Sequence, residues 1–166
     1  MHLKIQKIVL SGLLCAVITL LTMFVSFPIP GVTGAYVNAG DAGVYLAGFL
    51  LGGPLGALCA GVGSALADLL LGFAMYAVPT FIIKGAVALI TALLLKKFSG
   101  WSRIFALLIA GALIPAGYFL WEWLFLYGFE TALVSVPFNL IQYAGGILVG
   151  FILINALERI QKKQAQ

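Results

Sequence analysis

Between Ile5 and Leu157 the sequence is a series of apolar stretches, with nearly every lysine and arginine kept to their ends. That pattern fixes the solvent before anything else. A helix needs about 20 apolar residues to cross the hydrocarbon layer of a bilayer. Hydrophobic residues make up 63% of the 166 and charged residues only 8%, against roughly 25% charged in soluble chains. The expected fold class is an all-α membrane protein of six transmembrane helices, forming a single domain over residues 1–166.

The six segments are Ile5 to Ser26, Asp41 to Leu51, Leu55 to Leu71, Pro79 to Leu95, Ser102 to Leu126 and Ala132 to Leu157. The second is short for a full crossing. Breaks fall at Phe27-Pro28-Ile29-Pro30-Gly31, at Gly52-Gly53-Pro54, at Pro79, at Phe98-Ser99-Gly100 and at Pro137. The first apolar run is too long for a signal-peptide core, so it is expected to be a retained span.

The net charge of +4 does not point to nucleic acid, because the basic residues bracket apolar segments. Lys4 and Lys7 precede the first, Lys96, Lys97 and Arg103 lie between the fourth and fifth, and Arg159, Lys162 and Lys163 follow the sixth. The intervening connections, Phe27 to Gly40, Gly72 to Val78 and Tyr127 to Thr131, carry no lysine or arginine. The positive-inside rule then puts both termini on the cytoplasmic side of a multi-pass membrane protein. Cys15 and Cys59 read as small buried hydrophobes, and His2 near the chain start is a poor metal ligand. No metal or other cofactor is expected.

Charges at membrane depth are costly and mark function. By direction of travel, Asp68, Lys84 and Glu122 all fall in the outer half of the bilayer. Asn139, Gln142 and Tyr143 lie in the first turns of the last span at i, i+3, i+4 spacing, on one face. The outer connections add Tyr36, Asn38, Asp41 and Tyr76. The cytoplasmic halves carry almost no strongly polar side chains. An ion pathway needs polar groups at every depth, whereas a pocket that captures a solute from outside needs this outer cluster over an apolar floor. Aromatics beside it, Tyr36, Tyr76, Trp121, Trp123 and Tyr143, suit a flat ring.

Each residue also has a plainer reading. Asp68 and Lys84 are candidates to pair and tie two helices together. Asp41, following Gly40, fits a helix cap. At least one of Trp121 and Trp123 fits the interfacial belt, and Asn139 and Gln142 fit interhelical hydrogen bonding. Rows of small residues, Gly56-Ala60-Ser64-Asp68, Gly53-Ala57-Gly61-Ala65 and Gln142-Gly146-Gly150, suit close helix packing. Gly12 and Ala16 make a similar pair on the first span, for packing within the chain or for docking another membrane subunit. There is no GxxxxGK[ST] phosphate loop and no Ser/His/Asp or HExxH constellation, so the chain reads as neither an ATPase nor an enzyme; energy for uptake would come from another chain or an ion gradient.

The run Tyr36-Val-Asn-Ala-Gly-Asp41-Ala-Gly-Val-Tyr-Leu-Ala, then Leu51-Gly-Gly-Pro54-Leu-Gly, Gly61-Val-Gly-Ser-Ala-Leu-Ala-Asp68-Leu-Leu and Pro79-Thr-Phe-Ile-Ile-Lys84-Gly resembles the substrate-binding S components of energy-coupling factor (ECF) transporters. It is most similar to the branch carrying hydroxymethylpyrimidine, pyridoxine and pantothenate, near the riboflavin carriers. The resemblance implies six helices, a vitamin site under the loop between the first two spans, and three partners: a transmembrane coupling (T) subunit and two cytoplasmic ATPases. It implies docking through small residues on the first span, typically Ala-xxx-Ala, where this chain has Gly12 and Ala16. It also implies that the protein topples in the membrane to release its vitamin. Hydroxymethylpyrimidine or pyridoxine is the preferred ligand, with Lys84 meeting an acceptor or anionic group and Glu122 an N–H group; riboflavin and pantothenate stay open, as does a stand-alone secondary transporter.

Overall fold

The computed structural model describes residues 2–32 and 36–164, with side chains from Ile5 onward; His2 and Lys4 as side chains lie outside that range. Helix α1 spans His2–Phe24. A small antiparallel hairpin follows, β1 (Ser26–Pro28) paired with β2 (Tyr36–Asn38), with Phe27 opposite Val37. Then come α2 (Asp41–Leu51), α3 (Gly53–Leu70) and α4 (Ala74–Leu94). The fifth apolar stretch, Gly100–Leu126, is divided into a 3-10 turn (Gly100–Ser102), α5 (Arg103–Gly111), α6 (Leu113–Trp121) and a π-helical turn (Glu122–Leu126). Helix α7 runs over Phe129–Gln164.

Five of these stretches are long and apolar enough to cross a membrane; α2, of 11 residues, is not. At about 1.5 Å per residue, α2 covers only about half of the ~30 Å hydrocarbon layer. It is instead the centre of the bundle, with eight of its 11 residues buried. The expected starts at Pro79 and Ala132 are too late, because α4 begins at Ala74 and α7 at Phe129. Pro79 and Pro137 sit inside their helices, past the first turn, and each takes one i→i−4 hydrogen bond out of its helix without ending it. Pro115 acts differently: its missing N–H frees the Gly111 carbonyl one turn back, where the helix breaks between α5 and α6.

Helix directions follow from contacts at several levels. Thr19 of α1 donates to the Gly63 carbonyl at 2.8 Å and the Cys59 thiol of α3 to the Ser11 carbonyl at 3.3 Å, so α1 and α3 run in parallel. Gly61 faces Phe81 and Gly85 faces Ala57, so α3 and α4 are antiparallel. Asp41 and Tyr45 of α2 lie against Gly146 and Gly150 of α7 in the same order, so these two are parallel. Gly40 and Gly43 at the start of α2 face Thr22 and Ile18 of α1 in reverse order, so α2, and with it α7, opposes α1, and the start of α7 lies at the same end of the bundle as the finish of α1.

The small-residue rows are where these backbones touch. A Cβ at Gly56 would meet the Ala47 carbonyl at 2.6 Å, one at Gly48 the Ala88 carbonyl at 2.5 Å, and one at Gly61 the Phe81 carbonyl at 2.8 Å. In lipid, where apolar burial gives no drive for helices to associate, such close approach supplies the dispersion contact that holds them. Below the level of Lys84, the interior is built from Val44, Ala47, Leu51, Cys59, Ala60, Val87, Ala88, Leu107, Ala110 and Ile154, all under 10% exposed. Gly12 is different, with no atom within 4 Å of where its Cβ would stand.

Gly48→Ala is therefore expected to destabilise the purified protein by about 1–3 kcal/mol through overpacking against backbone. Gly12→Ala should leave it unchanged or slightly firmer. Thermal melts of the two variants in one detergent check the contrast; equal melting would mean that α2 does not pack as described.

Candidate functional site

Side chains from α1, α2, α3, α4, α6, α7, the hairpin and the π-helical turn meet at the hairpin end of the bundle. Lys84, on the third turn of α4, is 1% exposed and forms an ion pair with Asp41 at the start of α2. Its ammonium also lies 5.5 Å from the centre of the Tyr118 ring on α6. The second Asp41 oxygen accepts from Gln142 Nε2 of α7 at 2.8 Å. Gln142 Oε1 in turn accepts from the Asn38 backbone N–H at 2.9 Å, and from Asn38 Nδ2 at 3.4 Å. One chain of polar contacts thus runs from α4 through α2 and α7 to the hairpin.

The hairpin has a second tie. The Tyr36 hydroxyl donates to Asp68 at the end of α3, and the Tyr36 ring lies 5.5 Å from that of Phe73. Burial, then the Asp68 carboxylate, pushes the Tyr36 phenol above its ordinary value, so it stays a donor. Asn38 Oδ1 accepts from the Gly40 N–H at 2.9 Å, a local turn that seats Gly40 against Thr22.

Glu122, 1% exposed, is delivered by the π-helical turn, whose wide bond joins the Tyr127 N–H to the Glu122 carbonyl at 2.8 Å. Such turns cluster at functional sites. Its Oε1 accepts from the Tyr76 hydroxyl at 2.9 Å, while Oε2 and Asp68 Oδ2 are buried without a hydrogen-bond partner. The Ser135 and Thr80 hydroxyls lie close to Glu122 and Asp68 respectively, but Thr80 is bonded to Tyr118 at 2.9 Å and Ser135 Oγ meets no partner.

These groups line a narrow polar cavity of about 20 Å³, room for about one water. Of the residues expected at a site, Tyr36, Asn38, Asp68, Tyr76, Lys84, Glu122, Asn139 and Gln142 stand on its wall. Trp121 and Tyr143 do not. Trp121 packs on Phe125 with ring centres 4.6 Å apart. Tyr143 is about 100° around the helix from Gln142, and its hydroxyl donates to the Leu108 carbonyl at 3.0 Å. Trp123, 40% exposed, packs on Phe119 and Phe129. The pairing of Asp68 with Lys84 is also corrected: Lys84 takes Asp41, and Asp68 takes Tyr36. Asp41 is a buried counter-ion rather than a cap, for no side-chain capping bond forms at that helix start. The wall also holds Thr22, Ser64, Thr80 and Tyr118, which sequence reasoning did not single out as site residues.

The opposite end has a polar cluster of its own. Arg103, 5% exposed, clamps Glu158 with two bonds of 2.7 and 2.8 Å and reaches Asn155 at 2.9 Å. Read from sequence only as a topology charge, it is also a staple between α5 and α7.

An apolar helical bundle with five stretches long enough to cross a bilayer and a polar cavity near its hairpin end defines a multi-pass membrane protein. The family described as "ECF-type riboflavin transporter, S component" matches residues 2–159, and the chain belongs to that family. It is thus a transporter component for vitamin or precursor uptake, not an enzyme. It is 29% identical over 154 residues to "Thiamine precursor transporter HmpT" of Lactococcus lactis subsp. cremoris (strain MG1363), covering 93% of this chain and 86% of that one. It is 34% identical over 134 residues to an uncharacterized protein of Pyrococcus woesei, covering 80% of this chain and 88% of that one. The fold matches a structure titled "Structure and mechanism of the S component of a bacterial ECF transporter", with a TM-score of 0.76 at 22% identity, over 98% of this chain and 99% of that one.

Removing one partner of a buried ion pair strands the other charge. Lys84→Met and Asp41→Asn are each expected to cost about 3–5 kcal/mol, and the double variant to recover much of the loss. Chemical or thermal unfolding of the three variants in detergent reads this, and additive losses would show that the two side chains are not coupled.

Proposed function

We propose that this chain is the substrate-capturing S component of an ECF importer in the plasma membrane, with both termini cytoplasmic and the hairpin end facing out. The polar cavity carries this reading. It lies at the hairpin end, above an apolar floor, and its wall holds two buried carboxylate oxygens that the protein does not satisfy. Such groups are costly unless a ligand completes them. Tyr36, Asn38, Asp68, Tyr76, Lys84, Glu122, Asn139 and Gln142 form the binding site in this reading, and the single domain comprises the whole chain.

The preferred ligand is hydroxymethylpyrimidine or pyridoxine, and similarity to a thiamine precursor transporter supports the first; a cavity with room for about one water must widen to take either ring. Riboflavin is the second reading, favoured by the description of the family. The hairpin is held to the body by Tyr36 and Asn38, so it is the element that parts to admit a ring.

Uptake needs a coupling (T) subunit in the membrane and two cytoplasmic ATPases. Gly12 and Ala16 form the docking site for the first. Both are exposed on α1, within a face that also exposes Ile5, Ile8, Val9, Leu13 and Leu20.

Mass spectrometry of small molecules co-purifying with the protein tests the capture reading; the expected result is one vitamin or precursor at near-stoichiometric amount, displaced by excess of the same compound. Protein that holds none and shows no change in tryptophan fluorescence with any B vitamin would overturn it. Ala16→Leu is expected to abolish uptake by cells carrying the coupling module while binding stays intact. Uptake that survives removes the docking assignment, and uptake by the chain alone in cells without that module would make it a secondary transporter.

A further inference from the structure

Charge on the cavity wall is unbalanced in a way that selects the ligand. Three acidic or basic side chains stand there beside the tyrosines: Asp68, Glu122 and Lys84. Lys84 is already neutralised, because Asp41 behind the wall pairs with it. What faces the cavity is therefore two carboxylates with no free cation opposite them among the described residues.

Hydrogen-bonding capacity leans the same way. A carboxylate has roughly four acceptor positions and no donor when ionised. Within the protein, Asp68 receives the Tyr36 hydroxyl and Glu122 the Tyr76 hydroxyl. Both residues are at most 2% exposed, and each keeps one oxygen buried and unpartnered. The nearby hydroxyls of Thr80 and Ser135 leave acceptor positions to spare even if they turn inward. Against these two oxygens the wall sets one unpartnered hydroxyl, that of Thr22, so acceptors outnumber donors among its unpartnered groups, and N–H groups of a ligand would answer them.

Resting on the S-component reading above, we propose that the pocket selects an amino-substituted nitrogen heterocycle, taken in neutral or protonated form and never as an anion, with Glu122 and Asp68 as its acceptors. A protonated ring nitrogen beside an exocyclic amino group matches a carboxylate with two parallel N–H bonds, as a guanidinium does, whereas the neutral ring donates through its amino group alone. An anionic ligand would meet two like charges in a desolvated site, with Lys84 unable to answer both it and Asp41. Lys84 is thus a framework cation, not the ligand's anchor. This separates an aminopyrimidine from pantothenate, which carries a carboxylate, and from any phosphorylated vitamin.

Calorimetric titration of the purified full chain tests the assignment. The probes are hydroxymethylpyrimidine, its oxo analogue in which a carbonyl replaces the amino group, its phosphate ester, pyridoxine, riboflavin and pantothenate. The aminopyrimidine should bind most tightly, the oxo analogue roughly 10- to 100-fold more weakly, the span expected for losing a bond to a buried charge. Pantothenate and the phosphate ester should not bind. Glu122→Gln, or Asp68→Asn, should shrink the gap between amino and oxo ligands to a few-fold, in protein whose melting temperature confirms that it is folded. The proposal is overturned if the oxo analogue binds as well as the amino compound, if an anionic probe or a ring without an amino group binds best, or if both variants keep the full gap. Binding of some probe in that pattern leaves the capture function standing, whereas silence from all six overturns both. The comparison of ligands on unaltered protein decides the matter even if neither variant folds.

Discussion

The pair formed by Lys84 and Asp41 is the contact on which the rest of the structure depends. Neither charge belongs in an apolar bundle alone, and each is held by a helix that makes no sense without the other. Helix α2 is too short to cross a bilayer and is almost wholly enclosed. Its place is fixed at one end by the pair, with Gln142 filling the second carboxylate oxygen, and along its length by glycines that let α3, α4 and α7 come to backbone contact. A buried ion pair seldom adds much net stability, since desolvation offsets the attraction. It does fix register: a one-residue rotation of α2 or α4 would leave two bare charges in a dry interior.

That register sets the pocket. With Lys84 turned to Asp41, the wall keeps Asp68 and Glu122 as its free ionic groups. With Gln142 turned to Asp41, its carbonyl oxygen faces the hairpin and receives the Asn38 N–H. The contacts that hold the body together and those that hold the hairpin down are successive links of one polar chain. A ligand that draws on any link acts on the hairpin without any long-range device.

Much of this was legible in the sequence, for identifiable reasons. Apolar length and charge placement gave the helices, because lipid imposes that pattern on any chain that crosses it. Direction of travel brought Asp68, Lys84, Glu122 and Asn139 to one depth, and that grouping holds. Rotation about each helix axis was less accessible. Tyr143 sits one position from Gln142 yet points to α5, and Trp121 sits one position from Glu122 yet packs on its own helix. Partner choice was not accessible at all: Asp41 and Asp68 stand at similar depth, and only the packing of α2 between α4 and α7 gives Lys84 to the first. The π-helical turn carries no proline or glycine to announce it, and Arg103 looked like the other basic residues at its end until Glu158 was seen beside it.

The apolar layer beneath the cavity has an electrical consequence. Residues such as Val44, Val87, Ala88 and Leu107 form a tightly filled, low-dielectric plug between the polar cavity and the far surface. Moving a proton or ion across such a plug is prohibitive, so an idle copy does not short-circuit the membrane potential. The layer beneath the cavity thus acts as an electrical insulator across the bundle.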